Sequence, residues 1–509
     1  MNLFRKDNMN TISYQTLEDQ GYDGYLLKDA PEKVIQFGEG NFMRAFVDDF
    51  IDIMNEKAGF NGKVVLVQPI PNGSFRLNDR INEQEGLYTL MLQGSQDGKA
   101  VREKRVISAV SRCLNAFEDW NEVLETAKNP DLRFITCNTT EAGITYDPSC
   151  KLSNAPAASW PAKLTQYLYE RYKNGLNGFI ILACELIDDN GKELEKCVLK
   201  HIEDWNLPDD FRNWVENENV FCSTLVDRIV TGYPRAQADE LSQENGYIDN
   251  VLDTGEIFGI WVIEGPQSIA DELPIKEAGV PILITDNHKP YKERKVRILN
   301  GAHTSMVLGA FLAGQDIVRD CMHDPVIAGF MNEAIFNEII PTLSLPEEDC
   351  VEFAEAVSER FANPYIDHAL LSIALNSTAK WKARVLPSLK GYVEKFNRIP
   401  EALAASLAAY IAFYRGSERT EDGLKAVNPA TGKEYLIKDD PAVLDFYLER
   451  KDLSNEELVD EVMKNEDFWD MDLRSIPGLQ KAVLDDLNDL DQNGALHLME
   501  SCLASPEAD

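Results

Sequence analysis

The stretch that decides the fold is VIQFGEGNFMRAF, residues 34–46. An apolar, β-rich run leads into the Gly38-Glu39-Gly40 turn, and a helical pattern begins directly after it. The first glycine of such a turn permits a tight bend, and the second lets the backbone approach a pyrophosphate. A helix that begins after the turn offers N–H groups to the same anion. Met43 replaces the third glycine of a full GxGxxG motif, so an ordinary strand–turn–helix remains an equal alternative.

Short β-rich runs alternate with amphipathic helical stretches on the C-terminal side of this turn. The predicted buried strands are Lys33–Phe37, Lys63–Gln68, Leu132–Asn138 and Gly178–Cys184. The helical stretches between them include Phe42–Lys57, Phe117–Lys128 and Trp160–Tyr172. This alternation predicts an α/β domain with a mainly parallel sheet. Residues 87–93 are predicted as an added hairpin strand, 257–265 as a further strand, and the proline-punctuated stretch 266–281 as a linker.

From about residue 291 the pattern changes to long helical periods with few strand signals. The predicted helices are 292–313, 325–340, 347–361, 400–415, 440–449 and 455–464. Because 509 residues exceed what one ordinary core holds, two large domains are expected. The sequence therefore predicts a Rossmann-type dinucleotide-binding domain over 1–285, followed by an all-helical substrate and catalytic domain over 286–509.

The composition is that of a globular protein with a large negative charge. Hydrophobic residues make up 44% and charged residues 27%, and 50 basic against 86 acidic residues give a net charge of −36. This acidity argues against nucleic acid and against an anionic membrane as partners. No apolar run reaches the length of a membrane span, and no signal-peptide pattern is found. The nine cysteines are scattered without a CxxC pair, which predicts a reducing cytoplasm and neither a disulfide framework nor a cysteine zinc site.

Two further segments bear on a nucleotide cofactor. An acid that binds the ribose hydroxyls normally follows the second strand, but this strand ends in Gln68-Pro69 without a carboxylate. The rule therefore leaves NAD against NADP open. The segment FITCNTTEAG (134–143) ends a strand in a polar loop, and such strand ends line the ligand crevice of a doubly wound sheet. Thr140 and Glu141 are accordingly predicted at the cofactor, with a capped helix start as the alternative.

The stretch KPYKERKVRILNGAH (289–303) places five cations and one acid at the start of an apolar helix. On an α-helix Lys295, His303 and Asn300 fall at about 0°, 80° and 140°, within one half of the circumference. A lysine there can give a proton to a carbonyl that is being reduced, and an amide can donate to the developing oxyanion. His303 can hold a neighbouring hydroxyl, and no metal is needed. A satisfied core His–Asn pair is the alternative, and the surplus cations can meet a carboxylate or a phosphate.

The GxGNFxRAF turn, taken with K-x4-N-x2-H, resembles the polyol-specific long-chain dehydrogenases of the mannitol dehydrogenase family. The phrases that carry a closer likeness to its hexuronate-reducing members are FGEGNFMRAF (37–46), CELIDDNG (184–191), STLVDRIVTGYPR (223–235), WVIEGP (261–266) and KVRILNGAHTSM (295–306). The resemblance covers nearly the whole chain. It implies a Rossmann-type domain and a helical domain, NAD as the cofactor, and hydride transfer without a metal.

The resemblance also implies roles for individual residues. The implied catalytic residues are Lys295 as the acid/base, Asn300 and His303, and the implied substrate-binding residues are Asp227 and Lys380. The matching residues of the cofactor-binding turn are Gly38, Gly40, Asn41, Phe42 and Arg44.

Three positions depart from the pattern of the polyol dehydrogenases. Leu186 stands where these enzymes commonly have asparagine, Phe46 where they often have histidine, and Ser372 where they often have arginine. The polyol pocket is therefore expected to be rebuilt. Lys380, Lys382 and Arg384 are the candidates to hold a substrate carboxylate.

These departures favour a hexuronate over a neutral polyol as the small-molecule substrate. The expected reaction is NADH-dependent reduction of the keto group of tagaturonate to altronate. The alternatives are reduction of fructuronate, a mannitol-type polyol oxidation, and a non-catalytic sensor of sugar acids or dinucleotides. The presence of Lys295, Asn300 and His303 together speaks against a sensor, because a binding protein does not need a proton donor. The residues leave the oligomeric state open between a monomer and a small homo-oligomer.

Overall fold

A computed structural model describes residues 9–96, 98–140 and 142–503. Within them the chain forms two compact units. The N-unit comprises the residues through Gln93 together with Val101–His288, and the C-unit comprises Gly94–Ala100 and the residues from Lys289 onward. In the ranges described, no helix has the length and apolar character needed to cross a membrane.

An eight-stranded sheet organises the N-unit. The strands in this part of the chain are β1 Glu32–Phe37, β2 Lys63–Gln68, β3 Tyr88–Gln96, β4 Lys99–Ile107, β5 Val110–Asn115, β6 Phe134–Cys137, β7 Ile180–Ala183, β8 Val220–Asp227, β9 Asp253–Glu256, β10 Ile260–Glu264 and β11 Ile282–Thr285. The sheet has the order β11-β10-β8-β7-β6-β1-β2-β5. Strand β10 runs antiparallel to β8, whereas the other neighbouring pairs are parallel. The predicted Rossmann-type domain with a mainly parallel sheet is confirmed.

Apolar clusters cover both faces of this sheet, as is usual for parallel strands. The helices of this part of the chain are α1 Tyr14–Asp19, α2 Asn41–Arg44, α3 Val47–Ala58, α4 Leu77–Glu83, α5 Trp120–Thr126, α6 Trp160–Lys173, α7 Asn190–Asp204, α8 Asp209–Glu218, α9 Ala238–Asn245, α10 Ile269–Glu272 and α11 Ile275–Ala278. One cluster includes Phe46, Phe50 and Trp261. The other includes Trp160 and Tyr167.

The prediction of a linker at 266–281 is wrong. That stretch contains α10 and α11, and β11 follows it as an edge strand parallel to β10. Its prolines flank short elements: Pro274 precedes α11, and the carbonyl of Pro281 accepts from the backbone N–H of Trp261 at 2.9 Å. The predicted hairpin strand at 87–93 is present, but it pairs in a separate three-stranded sheet of order β4-β3-β9.

Helices dominate the C-unit. They are α12 Lys289–Arg294, α13 Gly301–Leu312, α14 Val318–His323, α15 Pro325–Asn332, α16 Glu347–Phe361, α17 Leu370–Ile373, α18 Ser377–Arg384, α19 Leu386–Phe396, α20 Glu401–Phe413, α21 Pro441–Glu449, α22 Asn455–Met463, α23 Glu466–Trp469, α24 Leu479–Asn493 and α25 Ala495–Ser501, with π-helical turns Lys295–Asn300 and Glu333–Ile339 and 3₁₀ turns Ile340–Thr342 and Leu473–Ser475. Helices α13 and α20 are apolar around most of their circumference and almost wholly buried. This pattern marks them as core helices.

One part of the C-unit is not helical, which corrects the prediction of an all-helical domain. Strands β12 Glu418–Thr420, β13 Gly423–Val427 and β14 Glu434–Ile437 form an antiparallel sheet in chain order. Each strand has only three to five residues. Runs this short give no clear alternation of apolar and polar residues, so the sequence pattern did not predict them.

Candidate active site

The two glycines of the turn after β1 have different structural roles. Gly38 has φ 130°, and a Cβ built on it would lie 2.8 Å from the backbone oxygen of Asn138. A side chain at this position would therefore collide with the end of β6. A Cβ on Gly40 would have no heavy atom within 4 Å. The fold requires the first glycine, whereas the second leaves open space beside the turn.

A cavity of about 680 Å³ opens beside this turn in the N-unit. Strand β1 pairs with β2 on one side and with β6 on the other, so the chain reverses its winding direction here. Ligands of doubly wound sheets bind at the carboxyl ends of the strands at such a switch point. Residues that line the cavity include Gly38, Glu39, Gly40, Pro69, Ile70, Asn138, Thr139, Thr140, Tyr146, Trp160 and Lys163. Its position and size fit a nucleotide.

The loop after β6 forms one wall of the cavity, and its described residues, 138–140 and 142–159, are not helical. Thr140 lines the cavity in the left-handed region, with φ 72°. The backbone N–H and the hydroxyl of Thr139 both donate to Glu185 Oε1 at 3.0 Å. Glu185 is buried, and burial raises its pKa. Sequence reasoning missed this supporting role of Glu185, although its carboxylate stands in the quoted phrase CELIDDNG. Glu141 lies outside the described residues.

The other matching residues of the turn lie behind it rather than along the cavity. Helix α2 has only four residues, so no long helix begins directly after the turn. The guanidinium of the buried Arg44 donates to the carbonyl of Glu39 and to Asn41 Oδ1, at 3.1 and 2.8 Å. Phe42 stacks on the ring of Phe46, with 4.9 Å between centroids. Arg44 and Phe42 therefore hold the shape of the turn from within the N-unit.

The end of β2, the usual position of a ribose-binding acid, presents apolar residues to the cavity. Gln68 is buried and donates its amide to the carbonyls of Ile70 and Pro71, at 3.2 and 3.4 Å. Pro69 and Ile70 line the cavity instead.

A π-helical turn lies within the helix of the C-unit that carries Lys295, Asn300 and His303. Helix α12, the turn Lys295–Asn300 and helix α13 follow one another without a break. In a π-helix the N–H of a residue bonds to the carbonyl five positions earlier, so residues five apart lie above one another. Lys295 and Asn300 have this spacing. The α-helical estimate of about 140° between them is therefore wrong, and the turn brings the two side chains to one side. Such π-bulges are frequent at functional sites.

His303 lies among aromatic and cationic groups of the C-unit. Its ring stacks on Phe361 with 3.9 Å between centroids, and the ring of His368 stands nearly perpendicular to it at 5.5 Å. Burial, followed by the positive charges of His368 and Arg360, holds the pKa of His303 well below its usual range. Its Nε2 atom is buried and forms no hydrogen bond among the described residues. His303 is therefore a neutral imidazole with a hydrogen-bonding atom unused.

Helix α18 separates the three candidate cations onto two faces. Lys380 donates to the carbonyl of Ile373 at 2.7 Å, and Arg384 Nη1 lies 3.4 Å from Thr304 Oγ1. Lys382 pairs instead with the exposed Asp470 at 3.1 Å. Lys380 and Arg384 thus point toward α17 and α13, whereas Lys382 lies at the surface.

Two of the cations that precede Asn300 face the interior of the C-unit. The Arg294 guanidinium lies 4.5 Å from the ring centroid of Phe353 and donates to the carbonyl of Asp349. Arg297 donates to Ser388 Oγ at 3.0 Å and pairs with Glu293 at 3.2 Å. The cationic stretch 289–297 is therefore not a single anion site.

The remaining site positions are distributed over both units. In the N-unit Asp227 ends β8 and is buried, and Leu186 is an exposed apolar side chain. Phe46 is fully buried in the apolar core of the same unit. In the C-unit Ser372 donates its hydroxyl to the carbonyl of Ala369 at 2.7 Å.

The described residues include one group that offers metal-ligand atoms, formed by Asp189, Glu264 and His288 of the N-unit. His288 Nδ1 and Lys192 Nζ lie 2.7 and 2.5 Å from the Glu264 carboxylate. Although burial favours the neutral form, hydrogen bonds from Lys192 and His288 lower the pKa of Glu264 to about 2. Because an ammonium already balances this carboxylate, the group needs no metal ion for its charge.

Comparison with known proteins relates both halves of the chain to one family. The family model named Mannitol dehydrogenase Rossmann domain matches residues 32–277, and the Mannitol dehydrogenase C-terminal domain matches residues 287–491. The altronate oxidoreductase of Enterobacter sp. (strain 638) is 44% identical over 484 residues, which cover 93% of this chain and 96% of that protein. The altronate oxidoreductase of Escherichia coli O7:K1 is 45% identical over 475 residues, 91% of this chain and 95% of its own.

Solved structures support the same fold. A D-sorbitol dehydrogenase in substrate-free form has a TM-score of 0.79 at 20% identity and covers 96% of this chain and 100% of its own. The Pseudomonas fluorescens mannitol 2-dehydrogenase, solved with NAD and D-mannitol, has a TM-score of 0.65 at 22% identity, with 97% and 100% covered. At these identities the two structures show the fold alone.

Proposed function

Because this chain belongs to the mannitol dehydrogenase family, we propose that it is an NAD-dependent oxidoreductase that interconverts tagaturonate and altronate. The proposal takes its substrate from the relatives named altronate oxidoreductase, which are 44–45% identical over more than nine-tenths of the chain. It takes its cofactor from the family and from the relative solved with NAD. The observation that carries it is the π-helical turn, which brings Lys295 and Asn300 together near a neutral histidine.

The cavity of the N-unit fits NAD by its own features. Gly40 leaves open space beside the turn, and the cavity has room for a nucleotide. We propose that Gly38, Gly40 and Thr140 hold the cofactor through main-chain groups, with Glu141 beside them from the sequence. When bound, the nicotinamide supplies or accepts the hydride.

The residues of the catalytic helix have separate proposed roles. Lys295 gives a proton to the substrate oxygen during reduction and takes it back during oxidation. Asn300 donates a hydrogen bond to the same oxygen as negative charge develops on it. The neutral His303 holds a neighbouring hydroxyl through its unused ring nitrogen. These three groups suffice for the proton transfer, so the proposed mechanism uses no metal.

The substrate-binding residues are proposed from the resemblance and from their placement. Lys380 remains a proposed substrate-binding residue, because it lies with Arg384 on the face of α18 that points toward α13 and α17. Asp227 remains a proposed substrate residue of the N-unit. Lys382 is not proposed to bind the substrate, because its ammonium is paired with Asp470 at the surface.

The proposed division of labour assigns the cofactor to residues 1–285 and the chemistry to residues 286–509. The proposed location is the cytoplasm. All nine cysteines are unpaired, and eight of them are buried, which suits a reducing compartment. The proposed partner is a small sugar acid, and no other partner is assigned.

The decisive experiment compares four substrates with the purified protein. NADH oxidation is followed with tagaturonate, fructuronate and fructose, and NAD reduction is followed with mannitol. The highest kcat/KM is expected for tagaturonate. Faster turnover of fructuronate would move the assignment to a fructuronate reductase. Turnover of fructose or mannitol, with none of tagaturonate, would overturn the proposal.

A further inference from the structure

Four side chains of the C-unit that carry or can take up a positive charge lie close enough to His303 to lower its pKa. They are Arg360, His368, Lys380 and Arg384. This concentration is unexpected in a chain whose net charge is −36. Cations held within an acidic protein form a candidate binding site for an anion.

Close packing of two helices brings Arg384 to the catalytic helix. A Cβ built on Gly301 would lie 3.2 Å from the backbone oxygen of Arg384, so α18 lies close against the start of α13. The guanidinium reaches Thr304, whose hydroxyl donates to the carbonyl of Asn300 at 2.9 Å. Thr304 therefore links Arg384 to the backbone of Asn300, the residue proposed as the oxyanion donor.

Arg384 and Lys380 repel each other in the unliganded protein. They are four residues apart on one helix, and like charges at this spacing destabilise a helix. Burial, followed by the charge of Arg384, lowers the pKa of Lys380. Among the described residues, neither side chain forms an ion pair with a carboxylate. Asp439, the acid that acts on Lys380, already accepts from Thr378 and Tyr414.

We propose that Arg384 binds the substrate carboxylate, at the end of the six-carbon chain opposite the keto group, with Lys380 beside it. A guanidinium presents two parallel N–H groups that match the two oxygens of a carboxylate. This inference rests on the proposed function, because it requires a keto-uronate as the substrate. It explains how a polyol-dehydrogenase fold selects an acid, since a neutral ketose offers this side chain no charge.

The test removes the charge of Arg384 and compares substrates with and without a carboxylate. In Arg384→Met, kcat/KM for tagaturonate is expected to fall about 10²-fold, mainly through KM, the loss typical of one hydrogen-bonded charge pair. The value for the neutral ketose tagatose is expected to stay within threefold of the parent. Arg384→Lys should recover part of the loss, because the charge returns without the two-pronged geometry.

Two controls test whether the loss in Arg384→Met comes from the missing contact with the carboxylate. Lys382→Met removes a cation from the opposite face of the same helix and is expected to stay within threefold on both sugars. The melting temperature and the Kd for NADH of Arg384→Met should equal those of the parent, and tagaturonate should raise the melting temperature of the parent only. A weaker Kd for NADH would instead assign Arg384 to a cofactor phosphate and overturn the proposal.

Failure of this inference can be told apart from failure of the proposed function. A parent protein that reduces neutral ketoses and no keto-uronate contradicts both. A parent that reduces tagaturonate, with Arg384→Met unchanged or equally impaired on tagatose, contradicts the carboxylate subsite alone.

Discussion

The turn beside the proposed cofactor cavity of the N-unit depends on main-chain geometry, whereas the proposed catalytic cluster of the C-unit depends on side chains of two packed helices. In the first, a glycine that meets the backbone of Asn138 and a second glycine beside open space define the turn. In the second, Lys295 lies in the π-helical turn, His303 in α13 and Arg384 in α18. The difference teaches that binding and chemistry depend on different features of this chain. A substitution in one unit should therefore impair cofactor binding or chemistry without impairing the other.

The largest difference between the effect on chemistry and the effect on cofactor binding is expected for Lys295→Ala. Without the proton donor, kcat should fall by about 10³–10⁴-fold, near the upper range for general acid–base catalysis. The Kd for NADH should not change, because the cavity belongs to the N-unit. Steady-state kinetics and fluorescence titration measure the two quantities, with Lys390→Ala of the exposed face of α19 as the control. Near-normal turnover in Lys295→Ala would remove the acid/base assignment.

A smaller effect on chemistry alone is expected from Asn300→Ala. Loss of one oxyanion donor should lower kcat by about 10²–10³-fold, while KM changes little. Single-turnover kinetics with tagaturonate report the chemical step directly. If the variant turns over within threefold of the parent, another group supplies the hydrogen bond.

The main-chain character of the cofactor turn predicts opposite results for its two glycines. Gly38→Ala strains the backbone and meets Asn138, so it should lower the free energy of unfolding by about 1–3 kcal/mol and weaken NADH binding about tenfold. Gly40→Ala should leave the melting temperature unchanged and weaken NADH binding alone, because its methyl group enters the open space. Thermal unfolding and NADH titration distinguish them. Equal stability losses in both variants would contradict this account.

The smallest expected effect concerns Glu39, the one acid of the turn. Glu39 lines the cavity, and burial raises the pKa of its carboxyl. A bound pyrophosphate favours the protonated form and raises this pKa further. NADH affinity should therefore be highest below the pKa of the free protein and should decline as pH rises through the pKa of the complex. Glu39→Gln should flatten this dependence and bind about threefold tighter at neutral pH. An unchanged pH profile would show that Glu39 does not face the anion.

Much of the fold was predictable because its signals are local. The strand at Lys63–Gln68 was predicted to the residue, and the helix at 347–361 likewise. The prediction of a linker at 266–281 was wrong because its prolines lie beside two short helices and an edge strand. The sheet at 418–437 was missed because its strands are too short for a period.

The candidate site was predicted less completely, because its contacts join distant parts of the chain. The spacing of Lys295, Asn300 and His303 pointed to one helix face, but an α-helical period cannot reveal a π-helical turn. A motif does not tell which way its side chains point. Arg44, which matches the motif, is buried and supports the turn from within the N-unit. Only the packing of α18 distinguishes Arg384 from Lys382.

The unbalanced cations beside α13 also have a consequence for how fast the substrate arrives. A tagaturonate anion approaches a molecule of charge −36, so at low ionic strength long-range repulsion slows its diffusion to the site. Salt near 0.1 M shortens the reach of that field to about 10 Å, so the proposed attraction of Lys380 and Arg384 would still act at close range. Still higher salt screens this attraction as well. The association rate should therefore rise and then fall with ionic strength, unlike the steady decline expected of a uniformly basic binding surface.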